Sequence, residues 1–310
     1  MADCWTIRTE VPRSVAQAAL LAHEEAVDWP YDWVLTGMEI ADDRPEDWFV
    51  EVYLPTKPSA ADRKRVAALF AGTLPDFTMT RLPDEDWVTV SQRGLEPIVA
   101  GPFYVRTPDF PAVPGTIDFV IPASQAFGTG HHATTAGCLA MLAAMKQRGV
   151  PVRNLADIGT GTGLLAFAGL ALWPRALATA SDIDPVCAGV VDANAATNGV
   201  RIGARRGELT MVVADGMADP LLRARGPYDL MIANILAGPL EELAADFSAA
   251  VVPGGNVLLA GLLEAQERAV RAAYVRAGFR LAARMVNGDW SILWLRKRAR
   301  QSLHRASASR

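Results

Sequence analysis

"NLADIGTGTGLLAFAGL", Asn154–Leu170, joins two apolar runs through a loop with glycines at 159, 161 and 163. Glycine loses more conformational freedom on folding than any other residue, so this density marks backbone that bends sharply or approaches a ligand closely. An apolar strand entering such a loop and an apolar helix leaving it is the first strand-to-helix turn of an open parallel sheet. Ligands of such sheets lie at the carboxyl ends of the strands, where the strand order reverses. The spacing is G-x-G-x-G; a dinucleotide fingerprint needs glycine where Leu164 stands, and a nucleotide P-loop needs a Gly-Lys-Ser/Thr ending that is missing. Both phosphate-binding readings lose ground.

Working outward, helical and strand patterns alternate from about Gly130: TTAGCLAMLAAMKQRG, NLADIG, GLLAFAGLALW, ALATASDI, DPVCAGVVDANAATNG, LTMVVAD, YDLMIANI, PLEELAADFSAAV, GNVLLAGL and EAQERAVRAAYVRAG, closed by the strands FRLAARMV and DWSILWLRK. This alternation predicts an α/β, doubly wound and mostly parallel Rossmann-like sheet, to which the terminal hairpin adds an antiparallel edge strand.

The ends of the next strands carry acids. Asp182, in SDIDP, stands about twenty residues past the glycine loop, where a carboxylate accepts hydrogen bonds from both ribose hydroxyls of a nucleoside; its plainer reading is a strand-end turn. Asp215, in VADG, is placed to meet an adenine amino group. Loop, Asp182 and Asp215 on consecutive strands describe a pocket for an adenosine without a pyrophosphate, which points to S-adenosylmethionine.

The front of the chain differs. Residues 1–97 hold nine Lys/Arg against eighteen Asp/Glu, whereas the remainder holds twenty-one against sixteen. Its patterns run strand, helix, strand, strand, helix, strand, with Ser59 as a cap of the second helix, and predict a small α+β ferredoxin-like domain. Trp29, Trp33, Trp48 and Trp87 suit either a recognition surface or core packing. A proline-rich stretch from Leu95 to Thr116 marks the boundary, so residues 1–97 form one domain and 98–297 the next, opened by the strand pair GPFYVRT and TIDFVIP. The basic end, 298–310, lacks apolar periodicity and reads as a disordered, solvated tail. No apolar run reaches the roughly 18 to 20 residues that cross a bilayer, and no leader pattern opens the sequence, so a cytoplasmic protein is expected. Three scattered cysteines indicate neither a disulfide framework nor a zinc site.

AFGTGHHATT, DIGTGTGLLAFA, SDIDPVCAGVVDANAATNGV, ANILAGPLEELA, VVPGGNVLLAGLL and the late GDW resemble the PrmA family of ribosomal protein L11 methyltransferases over nearly all of residues 98–297. The glycine loop and DIDP occur across many methyltransferases; FGTGHHATT and NILAGPL are far more selective. IPASQAFGTG lacks the family's usual glycine before Ala-Phe, and GTGTG replaces the commoner GCGSG. The resemblance implies that Thr135, Gly159, Asp182 and Asn234 line the S-adenosylmethionine site, with Phe127, Gly128, Gly161, Gly163 and Ile183 nearby. It also implies methylation of lysine side chains and the terminal amine of ribosomal protein L11, a basic protein suited to the acidic front domain.

Methyl transfer from a sulfonium to an amine is an in-line displacement, and the protein chiefly has to align a neutral nitrogen with the methyl group. Asn234 ends a strand, where its side-chain oxygen can accept from the amine and aim its lone pair; the alternative is a helix cap. His131 and His132 suit proton uptake or loop packing, and no further ligands accompany them to hold a metal. Two other functions compete: a lysine methyltransferase for another protein, such as the electron-transfer flavoprotein β subunit, and a non-enzymatic S-adenosylmethionine-binding module. The separate front domain argues against the first and Asn234 against the second. An acidic front domain repels phosphates and disfavours nucleic acid as a direct partner.

Overall fold

The computed structural model describes residues 4–24, 26, 29–30, 33–41, 44–70, 75–82, 96–122 and 131–299. The chain forms two compact units, one up to residue 95 and one from residue 96 onward.

The front unit runs β1 (Cys4–Pro12), α1 (Arg13–Glu24), β2 (Val34–Glu39), β3 (Asp47–Leu54), α2 (Ala60–Ala67) and β4 (Thr78–Leu82). The sheet order is β2-β3-β1-β4, and every pair is antiparallel. This is the split βαβ arrangement expected from the element order. Alternation in DWFVEVYL turns Val50, Val52 and Leu54 inward, where they meet Ile7, Ala16, Ala19, Val66, Leu69 and Phe70. Ser59 caps α2 in a reciprocal box: its hydroxyl accepts from the Asp62 amide, and the Asp62 carboxylate accepts from the Ser59 amide. Trp29, Trp33 and Trp48 pack partly buried against this core; Trp87 lies outside the described residues.

The second unit opens with β5 (Ile98–Ala100), β6 (Phe103–Arg106) and β7 (Ile117–Val120). The expected strand pair is thus a three-stranded sheet. Its β6 and β7 run parallel, because residues 107–116 carry the chain back before β7 begins. There follow α3 (His131–Gln147), β8 (Asn154–Ile158), α4 (Leu164–Leu172), β9 (Leu177–Asp182), α5 (Val186–Thr197), β10 (Leu209–Val213), α6 (Pro220–Arg225), β11 (Tyr228–Asn234), α7 (Ala237–Glu242), α8 (Ala244–Ala250), β12 (Val251–Leu263), α9 (Glu267–Arg276), β13 (Phe279–Asn287) and β14 (Trp290–Lys297). The stretch PLEELAADFSAAV, expected as one helix, is divided between α7 and α8 at Leu243. The short α6 escapes a reading of periodicity; Asp219 caps it and Pro220 opens it.

The large sheet has the order β10-β9-β8-β11-β12-β14-β13. Neighbours from β10 to β12 are parallel, and β14 is antiparallel to both β12 and β13. The hairpin therefore supplies the expected antiparallel strand, but one place inside the edge; β13 is the edge strand. Burial explains the order. SILWL of β14 is buried on both faces, as an interior strand demands, whereas β13 alternates buried or half-buried with exposed residues. One core joins α3, α4 and α5 to one face of the sheet, and a second joins α6 to α9 to the other.

Candidate active site

Strand order reverses between β8 and β11: from β8 the chain moves to β9 and β10 on one side, then to β11 and β12 on the other. The carboxyl ends of β10, β9, β8 and β11 are consecutive, and they carry Asp215, Asp182, the glycine loop and Asn234 in that order.

Gly159, Gly161 and Gly163 all have positive φ, of 70°, 54° and 86°. At Gly159 a Cβ would also collide with Ile235 Cγ2, so any other residue meets both backbone strain and a steric clash. The loop is held by side chains from three elements. Asp182 Oδ2 accepts from the Gly161 amide at 2.8 Å, and its Oδ1 accepts from the Asp184 amide at 3.1 Å. Asp157, buried in β8, accepts from the Thr160 hydroxyl at 2.6 Å and the Ala166 amide at 3.1 Å. Asn194 of α5 donates to the Thr162 carbonyl at 3.0 Å. Burial pushes the Asp157 carboxyl up to about 7, against the lowering effect of those two donors. Its Oδ1 is buried without a partner.

Asn234 closes β11. Its Nδ2 donates to the Thr135 hydroxyl of α3 across a long 3.5 Å, while its Oδ1 is buried and unpaired. A buried amide oxygen without a donor is costly, and here it stands at the switch point. Gly261 makes room for this turn. It has φ of 85° at an irregularity in β12, and a Cβ there would strike the Ile235 backbone.

The structure thus brings Gly161 to Asp182 and Asn234 to Thr135, which is 4% exposed. Asp215 is exposed beside Asp182, since the Ala214 amide bonds the Asp182 carbonyl. Ile183, 67% exposed, projects apolar surface next to them. Phe127 and Gly128 lie outside the described residues, as do the side chains of His131 and His132. Sequence reasoning passed over Asp157, Asn194 and Gly261. Asp157 left a signal, a charge inside the apolar run NLADI; Gly261 left none, because its need arises from a neighbouring strand.

These features fit S-adenosylmethionine. Glycine at 159, 161 and 163 keeps three turn positions free of side chains, the Asp182 carboxylate has acceptor capacity beyond the two backbone amides it binds, and Asn234 Oδ1 is an acceptor without a donor, as a molecule bearing ribose hydroxyls and amino groups requires. The sequence model of the family described as ribosomal protein L11 methyltransferase (PrmA) matches residues 30–298. A ribosomal protein L11 methyltransferase of Rhizobium meliloti (strain 1021) is 40% identical over 282 residues, 90% of this chain and 94% of that protein. One from Brucella suis is 41% identical over 234 residues, 75% of this chain and 79% of that protein. The crystal structure of a ribosomal protein L11 methylase from Lactobacillus delbrueckii subsp. bulgaricus superposes with a TM-score of 0.54 at 27% identity, covering 66% of this chain and all of that one. The chain belongs to the ribosomal protein L11 methyltransferase family, enzymes that draw their methyl group from S-adenosylmethionine.

Proposed function

We propose that this enzyme methylates lysine side chains and the terminal amine of ribosomal protein L11 in the cytoplasm, with residues 1–97 as the substrate-recognition domain and 98–297 as the catalytic domain. The observation that carries the reading is the buried, unpaired Asn234 Oδ1 at the switch point, beside Thr135.

S-adenosylmethionine, when bound, supplies a methyl group already activated by its sulfonium. The residues of the chain hold and align. Asp182 would accept from the ribose hydroxyls while it keeps Gly161 in place, and Asp215 and Ile183 would hold the adenine end. Gly159, Gly161 and Gly163 would let backbone approach the cofactor, Thr135 would serve the site from α3, and Phe127 and Gly128 are proposed as further cofactor-binding residues. Asn234 Oδ1 accepts an N–H of the target amine, which fixes the direction of the nitrogen lone pair. A lysine of pKa about 10.4 must first lose a proton, at roughly 4 to 5 kcal/mol at pH 7, whereas a terminal amine costs much less. The excess of nine acidic charges in residues 1–97 attracts a Lys/Arg-rich substrate and helps fix its orientation.

The test uses labelled S-adenosylmethionine and an extract of cells lacking their own copy of the enzyme. The full chain should label L11, and a fragment starting at Glu96 should bind cofactor yet label little. Label on a different protein would replace the proposed substrate, and cofactor binding without any labelling would make the chain a binding module.

A further inference from the structure

Two asparagines, Asn194 in α5 and Asn198 at its C-cap, are not among the residues proposed to touch the cofactor or the amine. Asn194 and Asn198 stand four residues apart, on one face of the helix and its C-terminal turn. Asn194 is 4% exposed and donates from Nδ2 to the Thr162 carbonyl at 3.0 Å. That carbonyl belongs to the peptide between Thr162 and Gly163, so planarity fixes the direction of the Gly163 N–H along with it. Gly163 is both the third loop glycine and the N-cap of α4. The Gly163 amide of that peptide donates to the Thr160 carbonyl at 3.0 Å, so the Asn194 amide holds the peptide's other end and the pair together fix its plane.

Asn198 grips a second segment. Its Oδ1 accepts from the Val120 amide at 2.7 Å, and its Nδ2 donates to the Val120 carbonyl at 2.8 Å. One side-chain amide thus pairs with both polar groups of the last residue of β7, as a neighbouring strand would. The same Nδ2 also donates to the Asn194 carbonyl at 2.8 Å, tying the two asparagines together.

We propose that Asn194 and Asn198 are positioning residues for the cofactor site, through which α5 sets the glycine loop and the end of β7 against one common reference. Neither touches the reacting atoms. The inference rests on the reading of the glycine loop as the S-adenosylmethionine cradle.

Calorimetry on the full chain tests it. Asn194→Asp keeps the shape but replaces the donor with an oxygen facing the Thr162 carbonyl, and should raise the cofactor Kd about tenfold, the scale of one lost hydrogen bond. Asn198→Ala should raise it by a smaller factor, about threefold. In both, KM for the cofactor should rise while kcat at saturation stays near that of the wild type. Val270→Ala, in the core on the opposite face of the sheet, provides a loss of thermal stability without a loss of affinity. If both asparagine variants melt earlier but bind as the wild type does, their role is structural and the proposal is wrong. Should Asn194→Asp fail to fold, the affinity of Asn198→Ala decides. Asp182→Ala, run in parallel, separates the two levels: retained affinity there overturns the cradle reading, and the present inference falls with it.

Discussion

The two units place their polar groups differently. In the front unit the described buried core is nearly all apolar, with Thr6 and Thr9 as its buried polar residues, and cations lie over aromatic rings: Arg8 over Phe49, Arg13 over Trp48, Lys57 over Trp5, Arg65 over Trp33. In the second unit one group of buried polar residues, Asp157, Thr160, Thr162, Thr135 and Asn194, surrounds the glycine loop and Asn234, while Asn256, Glu267 and Ser291 are buried and paired elsewhere. The unpaired buried atoms differ in kind as well. In the front they are the indole donors of Trp5 and Trp29; in the second unit they are the amide or carboxylate oxygens of Asn154, Asp157 and Asn234 and the hydroxyls of Ser181 and Tyr274, of which Asp157 Oδ1 and Asn234 Oδ1 lie at the candidate site. Buried polar atoms are expensive unless paired, so a fold that concentrates acceptors at one point is completed by a ligand bearing donors. The front unit has no comparable convergence among its described residues.

The contrast can be broken at its strongest point first. Asn234→Ala removes the acceptor proposed to aim the amine and should lower kcat about 100-fold, the scale of a misaligned nucleophile, with a smaller effect on cofactor affinity. Equal turnover under saturating cofactor would leave Asn234 as a residue of the β11 turn. Asp182→Ala should weaken cofactor binding by about 1.5 to 3 kcal/mol, because ribose loses its acceptor and Gly161 loses its anchor. Calorimetry on the folded variant measures this directly. If the front unit works by charge, KM for ribosomal protein L11 should rise several-fold as the Debye length shortens from about 10 Å at 0.1 M salt toward 3 Å at 1 M, with cofactor affinity little changed. A salt-independent KM would separate the acidic surface from docking.

The smallest effect sharpens the second unit alone. Burial raises the Asp157 carboxyl above its unfolded range to about 7. Its folded form therefore holds a proton more tightly than the unfolded form, so its contribution to stability is complete below about pH 4 and is lost as pH rises through about 7. Subtracting the urea-derived stability of Asp157→Asn from that of the wild type should give a difference that falls across this window. A flat difference would mean that the carboxyl is ionised throughout.

Legibility followed the range of the forces. Local signals worked: the capping box at Ser59, the period of two in β3, and the glycines that take positive φ at 159, 161 and 163 are written in neighbouring residues. Asp182, the last residue of β9, and Asp215, two residues past β10, are legible for the same reason, since a charged residue ending an apolar run marks where a strand meets solvent. The division of the long helix at Leu243 and the brief α6 were missed, because a few residues carry too little periodicity to override their neighbours.

By itself the sequence determined the alternation of elements, the Rossmann-like class, the glycine loop after β8 and the strand ends that carry the candidate residues, because each depends on contacts within a few residues. Tertiary structure alone decided that β14 enters the sheet inside β13, that β6 and β7 run parallel, and that Gly261 must yield to Ile235. It also decided that Asn194 and Asn198 reach Thr162 and Val120, 32 and 78 residues away along the chain. Such pairings are fixed by where segments remote in sequence are packed together, and no local pattern records them.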